Sequence, residues 1–191
     1  MRHLGRMHAL RAGSHRLWMI VSELPVPPPT HPHSPAAVPD FCNGRALRDY
    51  QQRSLEWMVC NRYAPGGPLN CILGDEMGLG KTAQSISVLA YQRQFGACAG
   101  PFLVIAPLTT LGHWQRELET WTAMNVVVYA GGQADRDAAL KHDMYFPGSK
   151  KRGGRAVKPH VVLSSYETVL RDQGLFKGIR WETVIIDEVR L

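Results

Sequence analysis

The stretch at residues 75–82, Asp-Glu-Met-Gly-Leu-Gly-Lys-Thr, has the residue types best suited to binding a phosphate. It follows a short apolar run and precedes a helical pattern, which is the strand, glycine loop and helix context of a phosphate-binding loop. Gly78 and Gly80 allow successive N–H groups to point inward at phosphate oxygens. The positive end of the helix dipole lies near Lys81. Lys81 would reach the β- and γ-phosphates, and the Thr82 hydroxyl would ligate Mg²⁺.

This loop departs from the strict consensus at Asp75, where the strict form has glycine, so it matches the looser helicase-like form. The alternative interpretation is a glycine-rich turn that precedes Lys-Thr by coincidence. Because the loop, the Lys-Thr pair and both flanking elements agree, phosphate binding is favoured. The predicted ATP-binding residues of the loop are Asp75, Glu76, Met77, Gly78, Leu79, Gly80, Lys81 and Thr82.

A carboxylate pair, Asp187 and Glu188, closes an apolar stretch near the end of the sequence. Beside a nucleotide, Asp187 can hold Mg²⁺ through water, and Glu188 can orient or deprotonate the attacking water. Alone, such a pair is commonly a solvated strand end. With a phosphate loop upstream in the same sheet, we predict Lys81 and Glu188 as catalytic residues and Thr82 and Asp187 as metal ligands.

Further polar residues are weaker candidates. Gln51 precedes the loop, and its amide presents a donor and an acceptor that could pair with an adenine edge. Its alternative role is an ordinary position in an amphipathic helix. Thr110, Ser164 and Ser165 place hydroxyls at strand ends, where they could contact a nucleic-acid backbone. The alternative for these three is helix capping.

Alternating strands and helices define the predicted architecture. Helical patterns separate continuous apolar runs, which are typical of strands buried on both faces. This order predicts an α/β fold with right-handed βαβ units, a parallel sheet and helices on both faces. Since ligands in such sheets bind at the carboxyl ends of strands, the candidate residues are expected along one edge. The predicted strands contain residues 72–73, 102–106, 126–129, 160–165 and 183–187.

Composition limits the class of protein. A chain of 191 residues suits one domain plus extensions, and its net charge of +6 is compatible with a nucleic-acid partner. A proline-rich stretch before residue 40 predicts a disordered extension and linker at 1–46, with the folded domain at 47–191. The four cysteines lack metal or disulfide spacing, which fits a reducing compartment. No apolar run is long enough to predict a membrane span.

These motifs, in this order and spacing, resemble a superfamily 2 helicase-like ATPase. The wording of the loop at 75–82 resembles the Swi/Snf-type branch, and residues 47–188 resemble the chromodomain-helicase-DNA-binding (CHD) chromatin remodellers. The closer match is carried by residues 100–108, 121–129 and 143–146.

The resemblance implies the first RecA-like lobe of a P-loop NTPase, a DNA translocase that slides nucleosomes with ATP and Mg²⁺ in the nucleus. It implies double-stranded DNA, nucleosomes with their histones, and a second RecA-like lobe as partners. Gln51 corresponds to the adenine-reading glutamine, and Asp187 and Glu188 correspond to the Mg²⁺ and hydrolysis pair. Thr110, Ser164 and Ser165 fall in segments that touch DNA in the family.

Two departures from the family pattern bear on activity. The family continues Asp-Glu-Ala-His or Asp-Glu-Gly-His, whereas this chain reads Asp187-Glu188-Val189-Arg190. The second lobe, with its arginine fingers, is not found within the 191 residues. We therefore expect a truncated lobe that is inactive alone, although its parent protein would hydrolyse ATP. The alternatives are a non-catalytic nucleotide- or DNA-binding module and a lobe of a DEAD/DEAH-type RNA helicase.

Overall fold

The structure is a computed structural model that describes residues 17–21, 37–64, 69–96, 98–146 and 157–189. Much of the predicted extension at 1–46 therefore lies outside the described residues. Within them, one mixed sheet is flanked by helices, which confirms the predicted α/β class.

Six strands form the sheet, in the spatial order β2-β1-β6-β3-β5-β4. Strands β3, β4, β5 and β6 are parallel to one another, while β1 runs antiparallel to both β2 and β6. It follows that β2 points the same way as the four parallel strands. The bounds are Leu17–Val21 (β1), Cys71–Leu73 (β2), Phe102–Ile105 (β3), Val126–Val128 (β4), Val161–Ser164 (β5) and Thr183–Val189 (β6).

Six α-helices connect these strands within the described ranges, and none of them is long and apolar enough to cross a membrane. The bounds are Asp49–Arg62 (α1), Lys81–Gln94 (α2), Leu111–Trp121 (α3), Gln133–His142 (α4), Tyr166–Arg171 (α5) and Gln173–Lys177 (α6).

Side chains alternate between two cores, one on each face of the sheet. In β3, Phe102 and Val104 pack with α1, α2 and α3, whereas Leu103 packs on the opposite face with α4 and α6. Because successive strand residues point to opposite faces, a strand covered on both sides must be apolar throughout. This explains the continuous apolar runs and confirms that helices lie on both faces.

Strand register brings the carboxyl ends of the strands to one level. Ile105, the last residue of β3, pairs with Ser164 of β5 and with Ile186 of β6. On the other side, Met19 of β1 pairs with both Ile72 and Ile186. The loop after β2 therefore leaves the same edge as the end of β6, two strand spacings or about 10 Å away.

The strand β1 lies within the segment predicted to be a disordered extension, so that expectation does not hold for Leu17–Val21. These residues read Leu-Trp-Met-Ile-Val, which is a strongly β-forming sequence. β2 and β6 each offer an edge to this segment, and pairing with both satisfies their backbone hydrogen bonds.

The last residues of the predicted extension also contact the folded lobe. Asp40 exchanges two hydrogen bonds with the side chain of Gln94, through its N–H and its carbonyl, both at 2.9 Å. The ring of Phe41 packs edge-to-face on Trp121 with centroids 5.0 Å apart. The ordered domain thus begins before the predicted boundary at Leu47.

We predict that Ile185→Ala destabilises the lobe by about 2–5 kcal/mol, because Ile185 is completely buried in the central strand β6 and truncation leaves a cavity. Urea unfolding followed by circular dichroism measures this change. The control is Leu170→Ala on α5, where the side chain is 68% exposed and little loss is expected. Equal losses in the two variants would contradict this packing.

A second prediction concerns the stability of the fold at low pH. The Nδ1 atom of His160 accepts a hydrogen bond from the N–H of Asn125 at 2.8 Å. Burial, and secondarily the charge of Arg93, lowers the pKa of His160. Since the unfolded chain then binds the proton more readily, the free energy of unfolding should fall as pH drops below about 6.5 toward the folded pKa.

The substitution His160→Asn keeps an acceptor but cannot titrate, so it should reduce this loss. Urea unfolding at about pH 7.5 and about pH 5.5 gives the comparison. His113→Asn, at an exposed position on α3, is the matched control. An unchanged pH dependence in His160→Asn would refute the assignment.

Candidate functional site

Two glycines with positive φ shape the loop between β2 and α2. Gly78 has φ +86° and Gly80 has φ +72°, a region that favours glycine. A Cβ atom on Gly80 would lie 2.5 Å from Nε2 of Gln51, so this position also lacks room for a side chain. The loop therefore turns into α2 as the sequence predicted, with backbone close to α1.

The Lys81 ammonium lies inside the loop. Lys81 begins α2 and is 7% exposed, and its Nζ donates to the carbonyls of Asp75 at 2.6 Å and Glu76 at 2.8 Å. A buried ammonium requires such partners. The loop curves around this ammonium, and a positive charge in that position is suited to binding an anionic ligand.

The carbonyl of Leu79 is a meeting point for donors from two helices. It accepts hydrogen bonds from Nε2 of Gln51 at 3.2 Å, from Nε2 of Gln84 at 3.0 Å and from the Tyr50 hydroxyl at 3.3 Å. Gln84 also donates to Oδ2 of Asp75 at 3.0 Å and is completely buried. The loop is therefore braced from α1 and α2. Sequence reasoning missed Gln84, whose only signal is its place one turn after Lys81.

Gln51 is both a helix-capping residue and part of the loop's support. Its Oε1 accepts from the N–H of Arg48 at 3.0 Å, which stabilises the start of α1, while its Nε2 donates to Leu79. A primary amide has two N–H donors and two acceptor lone pairs. After these two bonds, Gln51 still has one N–H donor and one acceptor lone pair. It can therefore still pair with an adenine edge.

The outer part of the loop has no packing role. Met77 is 73% exposed and Leu79 is 39% exposed, and the Glu76 side chain also faces solvent. The backbone carbonyls of Glu76 and Leu79 are held by hydrogen bonds, whereas the side chains of Glu76, Met77 and Leu79 are open to solvent.

The carboxylate pair lies at an irregularity in β6. Between Met19 opposite Ile186 and Leu17 opposite Val189, two residues of β6 face one residue of β1, which is a β-bulge. The two residues are Asp187 and Glu188, and Glu188 has φ +54°, an uncommon value for a side chain of this type. Such strain is often found at functional sites.

Two aromatic residues hold Asp187, and sequence reasoning identified neither. Asp187 is 3% exposed, and its Oδ2 accepts from Nε1 of Trp114 at 2.8 Å. The Tyr166 hydroxyl donates to the Asp187 carbonyl. Burial, and then the charges of Asp187 and Glu188, raises the pKa of Tyr166 to about 12, so it remains a donor at neutral pH. These pairings join distant parts of the sequence and leave no local signal.

A cleft of about 680 Å³ opens beside the end of β6. It follows the carboxyl ends of β3 and β5 as well, because the turn after β3 and the first turn of α5 form its walls. Its lining residues are Pro107, Leu108, Thr109, Thr110, Tyr166, Glu167 and Glu188.

The three predicted DNA-contacting hydroxyls lie at this edge but are not equally accessible. Thr110 is part of the cleft, and its Oγ1 donates to the carbonyl of Pro107 at 2.9 Å. Ser164 is fully buried and donates to Tyr129, and Ser165 caps α5 by accepting from the N–H of Thr168 at 3.2 Å. Direct contact through Ser164 or Ser165 does not fit this arrangement, and capping, the alternative interpretation, describes Ser165.

The donor set fits a nucleoside triphosphate with Mg²⁺. A lysine ammonium, a hydroxyl at Thr82 and the N–H groups of a glycine turn and helix start suit phosphate oxygens. Among the described residues, no three His, Cys, Asp or Glu side chains group together as metal ligands. Mg²⁺ bound to phosphates needs fewer, since one carboxylate and a hydroxyl suffice beside phosphate and water.

The chain is similar to known proteins of one family. A family model described as SNF2-related domain matches residues 50–190. The chain is similar to chromodomain-helicase-DNA-binding protein 7 of Gallus gallus, at 44% identity over 78% of this chain and 5% of that protein. It is also similar to chromodomain-helicase-DNA-binding protein 9 of Homo sapiens, at 45% identity over the same shares. The chain thus spans about one twentieth of these relatives' length.

A solved structure shares the fold. It is described as the Sulfolobus solfataricus SWI2/SNF2 ATPase core in complex with dsDNA, with a TM-score of 0.55 and 25% identity, over 78% of this chain and 27% of that chain. These findings confirm the resemblance that the sequence motifs carried. The chain therefore belongs to the SNF2-related domain family, and its fold is that of a RecA-like lobe of a SWI2/SNF2 ATPase core.

Proposed function

We propose that this chain is the ATP-binding lobe of an ATP-dependent chromatin remodeller, a nuclear DNA translocase that acts on nucleosomes and their histones. The observation that carries the proposal is the shared edge of the sheet. There the Lys81 loop and Asp187 leave parallel strands at one level, about 10 Å apart, within a chain of the SNF2-related family.

The loop residues would bind the triphosphate. The Lys81 ammonium already lies in the concavity of the loop and would exchange the carbonyls of Asp75 and Glu76 for phosphate oxygens. Thr82 and Asp187 would hold Mg²⁺, which would supply positive charge beside the phosphates. Glu188 borders the cleft and would orient the attacking water as a general base.

We propose that the backbone of double-stranded DNA touches this lobe at the rim of the cleft, at Thr109 and Thr110, because hydroxyl side chains can contact phosphate oxygens. The similar SWI2/SNF2 ATPase core was solved in complex with dsDNA. In this proposal Ser164 and Ser165 act indirectly, by holding the strand ends that form the cleft.

A second candidate function is a non-catalytic module that binds nucleotide or DNA. It is favoured by the sequence Asp187-Glu188-Val189-Arg190, in which the histidine of the family pattern is absent. In the first candidate function, hydrolysis would need groups from a second RecA-like lobe as a partner. An RNA helicase lobe is less well supported, because the matching family is SNF2-related.

We predict that Lys81→Ala weakens ATP binding by about tenfold to a hundredfold, because it removes a charge-assisted hydrogen bond to phosphate. Calorimetric titration with MgATP measures the effect. The control is Lys177→Ala on α6, which removes an exposed ammonium remote from the loop sequence and should leave affinity unchanged. Equal ATP affinity in wild type and Lys81→Ala would refute the phosphate-loop assignment.

Residues 1–191 alone are expected to show negligible turnover, even with double-stranded DNA. The same lobe joined to a second lobe should hydrolyse ATP faster with double-stranded DNA than with RNA. Phosphate release measured with each nucleic acid gives the result. DNA-stimulated turnover by the 191 residues would contradict the first expectation, and stronger stimulation by RNA would favour an RNA helicase instead.

A further inference from the structure

The contact between Trp114 and Asp187 joins α3 to the end of β6. The indole Nε1 lies 2.8 Å from the carboxylate Oδ2, and the two residues are 73 positions apart in the sequence. Trp114 is 1% exposed and Asp187 is 3% exposed. A carboxylate buried this deeply is costly unless it is hydrogen-bonded, so the indole contributes to keeping it charged.

An indole has a particular chemical advantage at this position. It is a donor only, it carries no charge and it does not titrate in the physiological range. A lysine or arginine would neutralise the carboxylate, whereas the indole can orient it without adding a charge of its own. Because one oxygen is fixed by Trp114, the direction of the other oxygen is also restricted.

The surroundings prevent Trp114 from turning away. Its side chain is among the largest completely buried groups, and Leu111 and Leu118 of the same helix belong to the same core. On the other side, the Tyr166 hydroxyl donates to the Asp187 carbonyl. The carboxylate and its backbone are thus held by two different helices, which is how metal ligands are oriented by their supporting residues.

We propose that Trp114 is a positioning residue that orients the Asp187 carboxylate for Mg²⁺ bound with nucleotide. This inference rests on the proposed function of the lobe as an ATP-binding unit. It assigns Trp114 an effect on the Mg²⁺ dependence of nucleotide binding that is separate from its contribution to packing.

The test is Trp114→Phe, which keeps an aromatic ring but removes the donor. The matched control is Trp121→Phe on the same helix, because the Nε1 of Trp121 donates instead to Oε2 of Glu117 at 3.1 Å. Binding of a fluorescent ATP analogue to the full chain is measured with EDTA and across a Mg²⁺ titration. We expect Trp114→Phe to require about tenfold more Mg²⁺ than the wild type to reach half of the Mg²⁺-dependent change in nucleotide binding. Its binding in EDTA should be unchanged. Trp121→Phe should titrate like the wild type.

A Mg²⁺ titration of Trp114→Phe equal to that of wild type would overturn the positioning role while leaving nucleotide binding intact. A wild-type chain that binds no ATP analogue, with or without Mg²⁺, would instead refute the proposed function and this inference with it. The two failures are therefore distinct.

A second measurement serves if Trp114→Phe does not fold. The Trp114 indole N–H signal of ¹⁵N-labelled wild type is assigned by elimination, using Phe variants of the other four tryptophans, Trp18, Trp57, Trp121 and Trp181. Adding Mg²⁺ to the nucleotide-bound chain should shift this signal and leave that of Trp121 in place. An unmoved Trp114 signal would refute the inference.

Discussion

The register of β3 between β5 and β6 is the constraint on which the site depends. Ile105 is paired on both sides, with Ser164 and with Ile186, so β3 and β5 end at one level, directly before Asp187 on β6. Both faces of these strands are buried. A slip of one residue would exchange the two faces and bury the wrong side chains against each helix layer. Core packing therefore sets the height of the cleft and of Asp187 before any polar contact is made.

Polar contacts then hold the loop around Lys81 in its position beside the packed core. The loop is held through one carbonyl, that of Leu79, which takes donors from α1 and α2. Individually such bonds contribute only about 0.5–1.5 kcal/mol each, but together they restrict a glycine-containing loop that has much conformational entropy to lose. The ammonium of Lys81 is satisfied by the same loop, so a ligand must compete with internal carbonyls. A triphosphate, with its high charge, is suited to that competition.

Much of this arrangement was predictable because its signals are local. Apolar runs and glycine turns predicted the parallel strands and the loop around Lys81. What the sequence did not reveal depends on distant pairings or on backbone detail. The bond from Trp114 to Asp187 joins two buried residues on different elements, and the positive φ of Glu188 results from a bulge opposite β1. The Ser164 hydroxyl likewise donates to the carbonyl of Tyr129, which follows β4 and is distant in the sequence. The roles assigned to the site residues remain predictions.

The antiparallel strand β1 also has a consequence for how the lobe folds. Its residues pair with β2 and with β6, so Ile20 and Ile185 meet although they belong to opposite ends of the described chain. During synthesis β1 emerges first, but its β6 partner emerges only after all the other strands. Contacts of such high sequence separation close late and slowly. We therefore expect the strand that carries the phosphate loop to join the sheet late in folding, after the β3–β5 half of the lobe has formed.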